Sequence, residues 1–343
     1  MRVAMYYRND KVLVEEMPVP EIGDGEILVK VISCGICGSD VLEWYRVKTA
    51  PRVLGHEIGA VIEKTGKAVQ GLSVGDRVFV SHHVPCNTCH YCLTGHHTAC
   101  ETLHSTNFDP GGLAEYVRVP AINVDRGTFR LPPELSYEES ALIEPLACVV
   151  RGQRIAGLEP GSTVLVVGSG VAGTLHIQLA RATGAGRIMA TDINEYRLKA
   201  AARFGADITI DASSEVPDLV RESNDGLLAD LVVLCTGAEK AIGQALQSVE
   251  RGGTLLFFAV PPPAKDVPVP MGRFWRDEIS IKTSYAAAPA DIERAIELIR
   301  SGRIDAEGMI THRLPLEEVQ EAFRLVSEAG KSLKVLVKPW TEG

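Results

Sequence analysis

Four cysteines lie within fifteen residues in a segment rich in turn-forming residues, at Cys86, Cys89, Cys92 and Cys100. Four thiolates from one short loop complete the tetrahedral shell that Zn²⁺ prefers, which leaves no coordination position for a substrate. An iron–sulfur cluster would favour a shorter final spacing followed by proline, whereas Glu101 follows Cys100. The spacing of this cysteine loop therefore predicts a structural zinc site.

A glycine-rich segment points to a second kind of chemistry, the binding of a dinucleotide. The sequence Gly168-Ser169-Gly170-Val171-Ala172-Gly173 follows an apolar run and precedes an amphipathic segment. In a G-x-G-x-x-G pattern the first glycine makes a tight turn, the second lets the backbone approach a pyrophosphate, and the third allows close packing of helix on strand. We predict that this glycine loop binds the cofactor through Gly168, Gly170, Val171, Ala172 and Gly173.

The side chain expected to choose between NAD and NADP is Asp192, nineteen residues beyond Gly173 at the end of the next apolar run. A carboxylate at this point accepts hydrogen bonds from the adenosine ribose and repels a 2′-phosphate, which favours NAD. Arg197 lies nearby and would weaken that preference. The ends of two later strands are predicted to line the nicotinamide side, at Thr236, Ala259 and Val260.

A third set of metal-binding residue types is spread along the chain. It consists of Cys37, the dipeptide His56-Glu57, and Glu144. Taken singly, each has a structural explanation as a buried thiol, a core histidine or a solvated carboxylate. The spacing by itself leaves these explanations and a metal site open.

The elements that would position these residues fall into two regions. In the first hundred residues, β-like runs at Ile27–Ile32, Ala60–Lys64 and Arg77–Val80 are separated by turn signals, which favours an antiparallel, barrel-like domain. From about residue 160, short apolar runs alternate with amphipathic segments of helix length, a rhythm typical of a doubly wound α/β fold with a parallel sheet.

The predicted strands of the second region are 163–167, 187–191, 208–210, 231–235, 254–259 and 279–283, and segments such as 171–183 and 195–204 are predicted helices. Two further helices, at 290–301 and 316–329, and a last strand at 333–337 follow.

Composition limits the classes of function. A chain of 343 residues favours two domains, and its apolar fraction of 45% and charged fraction of 23% are those of a globular protein. The net charge of −9 argues against nucleic acid as a partner. No membrane-spanning run or cleavable leader is evident, so the sequence predicts a cytoplasmic protein with no membrane partner.

Several ordered motifs resemble the zinc-dependent medium-chain alcohol dehydrogenases, and in particular the sorbitol dehydrogenase-like polyol branch, over essentially the whole chain. The motifs are Gly35-Ile36-Cys37-Gly38-Ser39-Asp40, Leu54-Gly55-His56-Glu57, the cysteine loop, Gly111-Gly112-Leu113-Ala114-Glu115-Tyr116, Glu144-Pro145-Leu146 and the glycine loop. The resemblance implies a reversible oxidation of a secondary alcohol or polyol to a ketone with NAD⁺.

The resemblance also implies the organisation of the domains. It implies a GroES-like β-barrel catalytic domain over residues 1–150, completed by 286–343, and a Rossmann NAD-binding domain over 151–285, with the active site in the cleft between them. Relatives form homodimers or homotetramers, and the edge strand at 279–283 is suited to pair across a two-fold axis.

The resemblance further implies two zinc ions per chain, one structural and one catalytic. The catalytic ion would be held by Cys37, His56 and a glutamate, with Glu144 favoured as the direct ligand and Glu57 close behind. Ser39 would accept the proton of the substrate hydroxyl and relay it outward.

Two features depart from the family. Leu42 stands where relatives often carry a proton-relaying histidine, which leaves Glu43 or ordered water as the exit route. The segment from Cys37 to His56 is short and carries three basic residues, Arg46, Lys48 and Arg52.

Two alternatives remain open at this level. In the first, those basic residues attract an anion, and the enzyme is an NAD(P)-dependent reductase or dehydrogenase of aldehydes or of phosphorylated or carboxylated sugars. In the second, the chain is a non-catalytic NAD-binding redox sensor with structural zinc alone. The remaining thiols, Cys34, Cys148 and Cys235, lie in apolar surroundings and are interpreted as inert core residues.

Overall fold

The computed structural model describes residues 1–259 and 266–340. The chain forms two compact units. The first comprises Met1–Ala147, Ala286–Gly302 and the described residues from Ala306 onward, and the second comprises Cys148–Tyr285 and Arg303–Asp305. The chain passes from the first unit to the second within a helix, three residues before the boundary expected from sequence.

The strands, in chain order, are β1 (Arg2–Arg8), β2 (Lys11–Glu16), β3 (Ile27–Gly35), β4 (Arg52–Val53), β5 (Glu57–Thr65), β6 (Arg77–Val80), β7 (Tyr116–Val119), β8 (Thr128–Arg130), β9 (Thr163–Val167), β10 (Arg187–Asp192), β11 (Ile208–Asp211), β12 (Ala229–Leu234), β13 (Val249–Phe257), β14 (Ser280–Thr283), β15 (Ile310–Pro315) and β16 (Lys334–Lys338).

The α-helices are α1 (Glu43–Arg46), α2 (His90–Leu93), α3 (Glu101–Ser105), α4 (Ala121–Gly127), α5 (Tyr137–Ser140), α6 (Ile143–Ala156), α7 (Val171–Thr183), α8 (Glu195–Arg203), α9 (Val216–Ser223), α10 (Glu239–Gln247), α11 (Met271–Arg276), α12 (Pro289–Arg300) and α13 (Val319–Glu328). Among the described residues, no helix is both long and apolar enough to cross a lipid bilayer.

The first unit is built mainly on antiparallel strands, as predicted, and β15 and β16 form a parallel pair at one edge of its larger sheet. A seven-stranded sheet runs in the order β15-β16-β3-β5-β6-β8, with β7 also paired to β3, and a smaller sheet has the order β2-β1-β4. The core beneath them includes Val29, Val31, Ile58 and Phe323, each fully or almost fully buried.

Strand register brings the candidate site residues together. Gly35, at the end of β3, pairs with Glu57 at the start of β5 on one side and with Leu336 of β16 on the other. Cys37 therefore follows β3 directly into the neighbourhood of Glu57, and β16 delivers Lys334 from the far end of the chain. Residues separated by almost 300 positions thus meet at one end of the sheet.

The second unit holds the predicted parallel sheet. Its six strands lie in the order β11-β10-β9-β12-β13-β14, and all neighbours are parallel. In β9 the side chains of Val164 and Val166 join one apolar core, and those of Leu165 and Val167 join another. Both faces of the sheet are therefore covered, which is the arrangement of a doubly wound fold.

Two of the element boundaries that differ from the sequence-based prediction are the starts of β13 and of α13. β13 begins at Val249 rather than at residue 254, because its pairing with β12 shifts register around Gly252, which has a φ of +72°. The pair Gly252-Gly253 therefore marks an irregularity within β13 and not the start of the strand. The last helix begins one turn later than predicted, since Leu316–Glu318 form a 3-10 turn before α13.

Candidate active site and metal centres

The side chains of Cys37, His56 and Glu57 meet in the first unit. Each offers one ligand atom, and these atoms all lie within 4.8 Å of one another. A thiolate, an imidazole and a carboxylate are the donors that a zinc ion with an open position takes in proteins. The chemistry of this donor set fits a catalytic zinc site.

A short turn holds Cys37 in place. Cys37 caps the 3-10 turn Gly38–Val41, where its Sγ accepts a hydrogen bond from the Ser39 N–H at 3.4 Å and its own N–H donates to Asp40 Oδ2 at 3.1 Å. Asp40 is fully buried. The Cys-Gly-Ser-Asp motif thus works as a local structure that presents the sulfur and fixes the carboxylate beneath it.

His56 stands in a strongly negative environment. Its Nδ1 lies 3.6 Å from Asp40 Oδ1, which leaves the opposite ring nitrogen for an ion. Burial acts to lower the pKa of His56, but the negative charge of Asp40 and a hydrogen bond with Cys37 raise it to about 10. The pocket favours positive charge at this point, as a cation site must.

One carboxylate oxygen of Glu57 has a partner, and the other has none. Its Oε2 forms an ion pair with Lys334 Nζ, and both side chains are only 1% exposed. Its Oε1 is buried and has no hydrogen-bond partner. A buried carboxylate oxygen without a partner is costly unless a cation or a donor satisfies it, which again fits a metal at this position.

Gly35 makes room for this ion pair. A Cβ at position 35 would lie 2.2 Å from Glu57 Oε2 and 2.7 Å from Lys334 Cε. Any side chain there would displace the pair. The glycine of the Gly35-Ile36-Cys37 motif is therefore required by close approach.

Glu144 lies near the group without joining its tight set of ligand atoms. It is the second residue of α6, and its charge contributes to raising the pKa of both His56 and Lys334. The three atoms that come within 4.8 Å of one another belong to Cys37, His56 and Glu57. The choice between the two glutamates as direct ligand stays a prediction.

The basic residues of the short segment differ in what they do. Arg46 donates to the backbone oxygen of Ser39 at 3.0 Å, to Ser39 Oγ at 2.9 Å and to Asp40 Oδ1 at 3.1 Å. Arg52 reaches Thr49 Oγ1 at 3.4 Å, and Lys48 is exposed. Because Arg46 is hydrogen-bonded to Ser39 and Asp40, it is less available to bind an anionic substrate than the first alternative supposes.

Two neutral histidines extend the site. The ring of His82 lies 4.7 Å from that of His56 and 3.8 Å from that of His83, measured between centroids. Burial and neighbouring positive charge lower the pKa of His82 well below its usual value and that of His83 to about 4. Nδ1 of His82 is buried without a hydrogen-bond partner.

The cysteine loop brings its four sulfurs together as the spacing predicts. All four lie within 4.8 Å of one another, with Cys89 Sγ 3.5 Å and Cys86 Sγ 4.0 Å from Cys92 Sγ. Sulfurs held about 2.3 Å from one zinc in a tetrahedron lie roughly 3.8 Å apart. The sulfur separations fit a zinc ion, and all four thiols are free of disulfides.

Backbone N–H groups prepare this loop for a cation. The N–H groups of Thr88 and Cys89 donate to Cys86 Sγ at 3.5 and 3.2 Å, and these bonds lower the pKa of Cys86 to about 5. The thiolate, which is the form that binds metal, is therefore favoured. Arg126 fixes the start of the loop by donating to the Cys86 carbonyl at 2.6 Å.

The glycine loop has the geometry that phosphate binding needs. Gly168 has a φ of +93°, and a Cβ at Gly173 would lie 1.9 Å from the Gly168 oxygen. Gly170 caps α7, so Val171 and Ala172 lie in its first turn, where backbone N–H groups have no helical acceptor. The loop joins β9, the central strand, to the N-terminus of α7, as a dinucleotide site requires.

Asp192 is fixed beside this loop at the end of β10. Its Oδ2 accepts a hydrogen bond from the Ser169 N–H at 2.8 Å, and its Oδ1 accepts one from the Asn194 N–H at 2.9 Å. Arg197 Nη1 lies 4.0 Å from Asp192 Oδ2, and its guanidinium is 3.7 Å from the place a Gly170 Cβ would occupy. Asp192 and Arg197 therefore both border the glycine loop.

Of the three residues predicted to line the nicotinamide side, Thr236 and Ala259 are among the described residues. Thr236 follows β12, with its side chain 3.3 Å from the place a Gly168 Cβ would occupy. Ala259 follows β13 and donates its N–H to the Leu234 oxygen at 3.0 Å. Since β9, β12 and β13 are adjacent and parallel, Thr236 and Ala259 lie at the same sheet edge as the glycine loop. Val260 lies outside the described residues.

Three residues of the site were not recognised in the sequence for the roles they have. Lys334 and His82 were missed, and Arg46 was named only as one of three basic residues that attract an anion in the first alternative. A lysine within an apolar strand, Leu333-Lys334-Val335-Leu336-Val337, was the available signal for the first, because a buried lysine requires a partner. Nothing local marked His82 or the internal pairing of Arg46.

Together, a parallel-sheet unit with a dinucleotide loop and an antiparallel unit with two metal-binding groups define a metal-dependent dehydrogenase. Comparison with known proteins specifies this class. Residues 23–128 match the alcohol dehydrogenase GroES-like domain, and residues 171–301 match the zinc-binding dehydrogenase domain. The chain belongs to the zinc-dependent alcohol dehydrogenases of the medium-chain family, in the branch that contains the polyol dehydrogenases.

The relatives are similar over nearly their whole length. A probable D-xylulose reductase A of Aspergillus clavatus is 35% identical, over 94% of this chain and 92% of the relative. Sorbitol dehydrogenase of Gallus gallus is 34% identical, over 97% and 94%. Among solved structures, alcohol dehydrogenase TADH from Thermus sp. ATN1 superposes with a TM-score of 0.87 at 30% identity, covering 98% of this chain and 99% of that one. The chain is therefore an oxidoreductase, as predicted.

Proposed function

We propose that this enzyme oxidises a secondary hydroxyl of a neutral polyol to a ketone with NAD⁺, and catalyses the reverse reduction. The observation that carries the proposal is the convergence of Cys37, His56 and Glu57, whose ligand atoms lie within 4.8 Å of one another. The relatives named sorbitol dehydrogenase and D-xylulose reductase act on substrates of this class, which supports the choice.

Cys37 and His56 would hold the catalytic zinc, with Glu144 or Glu57 as the third protein ligand. When bound, zinc supplies Lewis acidity that stabilises negative charge on a substrate oxygen. Asp40 orients the His56 ring through Nδ1, and Lys334 limits the negative charge that Glu57 brings to the site. Ser39 lies next to Cys37 and would exchange a hydrogen bond with the reacting hydroxyl.

The surroundings of His56 support a substrate with several hydroxyl groups. His82 and His83 stay neutral near pH 7, since their pKa values are lowered. A neutral imidazole both donates and accepts a hydrogen bond, which suits a hydroxyl better than a methylene group. The buried Nδ1 of His82, which has no protein partner, is available for such a contact.

NAD rather than NADP would be the cofactor, and its nicotinamide supplies the hydride acceptor. Asp192 is held by two backbone N–H groups that leave lone pairs on both oxygens, and its side chain is 6% exposed. A fixed carboxylate accepts hydrogen bonds from ribose hydroxyls and repels a phosphate. Arg197 stands close enough to Asp192 to neutralise part of that charge without replacing it.

A second zinc would be structural, held by Cys86, Cys89, Cys92 and Cys100.

The chain would assemble as a homodimer or homotetramer. β14 is an edge strand whose four residues are all exposed, and Trp275 on the preceding helix is 82% exposed. An exposed edge strand and an exposed large apolar side chain in the same unit are features suited to pairing with a second copy.

A substrate panel tests the proposal. Polyols, simple secondary alcohols and polyol phosphates are each offered with NAD⁺ and with NADP⁺, and reduced cofactor is followed by absorbance. Turnover of neutral polyols with NAD⁺, together with about two zinc ions per chain, supports it. Activity confined to phosphorylated substrates, or about one zinc per chain with no turnover, contradicts it.

A further inference from the structure

Arg46 is hydrogen-bonded to Ser39, the serine expected to contact the reacting hydroxyl. Its side chain is 14% exposed, and its guanidinium donates three hydrogen bonds, to Ser39 O, Ser39 Oγ and Asp40 Oδ1, at 3.0, 2.9 and 3.1 Å. The side chain also stacks on the Tyr45 ring, with Cζ 4.8 Å from the ring centroid. Asp40 is fully buried, so its carboxylate is held in place. The guanidinium is therefore fixed by its bonds to both Ser39 and Asp40.

A guanidinium restricts what the serine hydroxyl can do. Arg46 only donates hydrogen bonds, whereas a serine hydroxyl has one proton and two acceptor sites. Arg46 occupies one acceptor site of Ser39 Oγ, so the serine proton cannot point toward it. The hydroxyl keeps its proton and one acceptor site for another group. A cation at 2.9 Å also makes that proton a stronger hydrogen-bond donor.

The position expected to carry a titratable relay is apolar. Leu42 is 38% exposed and has no group that exchanges a proton. The nearby acid Glu43 accepts a hydrogen bond from the Asn9 N–H at 3.1 Å. Among the described residues, the side chain seen to contact the serine hydroxyl is that of Arg46, which offers hydrogen-bond donors and no acceptor.

We infer that Arg46 is a positioning residue that orients and polarises the Ser39 hydroxyl toward the reacting oxygen of the substrate. The inference rests on the proposed function for the identity of that oxygen. Stabilisation by a polarised donor grows as negative charge develops on the oxygen, so the effect falls on kcat more than on KM. It also strengthens the binding of a ligand that presents a carbonyl oxygen.

The test is a double-mutant cycle between Arg46→Gln and Ser39→Ala, with Arg52→Gln as the matched control from the same segment. Arg46→Gln is expected to lower kcat by about 10- to 100-fold, the worth of a hydrogen bond from a charged group, with little change in KM. In the Ser39→Ala background the same substitution should change kcat by less than about threefold. Millimolar guanidinium should restore part of the activity of Arg46→Ala.

The following results overturn the inference. They are an effect of Arg46→Gln no larger than that of Arg52→Gln, an effect that persists undiminished without Ser39, and a loss of bound zinc in Arg46→Gln that accounts for the lost activity. An effect confined to KM for anionic substrates likewise contradicts it and favours anion binding.

A readout without turnover separates this inference from the proposed function. Calorimetry on zinc- and NADH-loaded protein measures the affinity for a small unreactive amide, whose carbonyl oxygen accepts a hydrogen bond as a ketone does. Arg46→Gln and Ser39→Ala should weaken binding to a similar degree, and the double variant no further. If no polyol is oxidised, the proposed function fails, while the calorimetric cycle still decides the role of Arg46.

Discussion

Lys334 and Glu57 form an ion pair in which each side chain is 1% exposed, although the two residues come from opposite ends of the chain. Lys334 Nζ also donates to the Ile36 oxygen at 3.4 Å. Although burial lowers it, the negative charge of Glu57 raises the pKa of Lys334. This pair joins β16 to β5 beneath the candidate catalytic site, and it sets how much negative charge faces an incoming cation.

Removing one member of this pair should destabilise the protein. Lys334→Met leaves the Glu57 carboxylate buried without its cation, and we expect the free energy of unfolding to fall by about 3–5 kcal/mol. Chemical denaturation measures the change, on protein from which the ion of the Cys37–His56–Glu57 group has been removed, so that no zinc replaces the lysine at Glu57. The double variant Glu57→Leu/Lys334→Met removes both charges and should lie closer to the wild type. A single variant within about 1 kcal/mol of the wild type would contradict the prediction.

The glycine beneath the pair gives a second test. Gly35→Ala places a methyl group where Glu57 Oε2 and Lys334 Cε now lie. We expect a loss of stability comparable to that of Lys334→Met, because the pair must separate or shift. Gly272→Ala is the control, since a Cβ there meets no atom within 4 Å. Equal stability of the two alanine variants would show that the pair moves aside at little cost.

The cysteine loop should lose its metal when one thiolate is removed. Cys89→Ser replaces a soft ligand by a weak one, and we expect the zinc content to fall by about one ion per chain, with a large drop in thermal stability. Elemental analysis and thermal unfolding measure these changes. Cys235→Ala removes a thiol outside both metal-binding groups and should retain all zinc. Unchanged zinc content in Cys89→Ser would refute the structural site.

Cofactor choice should depend on Asp192. Asp192→Asn keeps the shape of the side chain but removes its charge, so we expect NAD⁺ to bind about 10- to 100-fold more weakly, while NADP⁺ changes less or binds more tightly. Fluorescence titration with both cofactors gives the two dissociation constants. Asp211→Asn, at the corresponding end of β11, is the matched control. Parallel losses for both cofactors would indicate that Asp192 acts only through the fold of the loop.

One buried histidine makes stability depend on pH. Burial lowers the pKa of His176 from 6.5 to about 3, and its Nδ1 accepts a hydrogen bond from Gln153 at 3.2 Å. Between those pH values the unfolded chain binds a proton that the folded chain does not, so the free energy of unfolding falls as pH drops below about 6.5.

The expected loss from His176 is about 2 kcal/mol between pH 7 and pH 5. Urea denaturation across this range compares the wild type with His176→Gln, which is polar but does not titrate. The variant should show a shallower pH dependence by roughly that amount. Parallel curves for the two proteins would mean that His176 is already protonated in the fold or reached by water.

The local motifs of this protein could be recognised in the sequence because each is formed by residues that lie close together along the chain. The four cysteines lie within one loop, and the glycine loop with Asp192 spans a single strand-helix-strand unit. Strand alternation and helix periodicity also report local burial, so the two-region architecture followed from pattern alone. The starts of β13 and α13 were predicted wrongly because the pair Gly252-Gly253 and the 3-10 turn Leu316–Glu318 interrupt that pattern.

Tertiary structure alone decided which residues lie together at the candidate catalytic site and which charges they meet there. Lys334 reaches Glu57 only because β16 pairs with β3 and β3 with β5, a register that no short segment contains. The role of Arg46 depends on how a brief turn folds back on Ser39, and His82 meets His56 only through packing. The type and spacing of the residues show which chemistry each side chain can perform. The distances between remote segments determine which of these side chains act together. Those distances are set by the cooperative packing of the whole sheet.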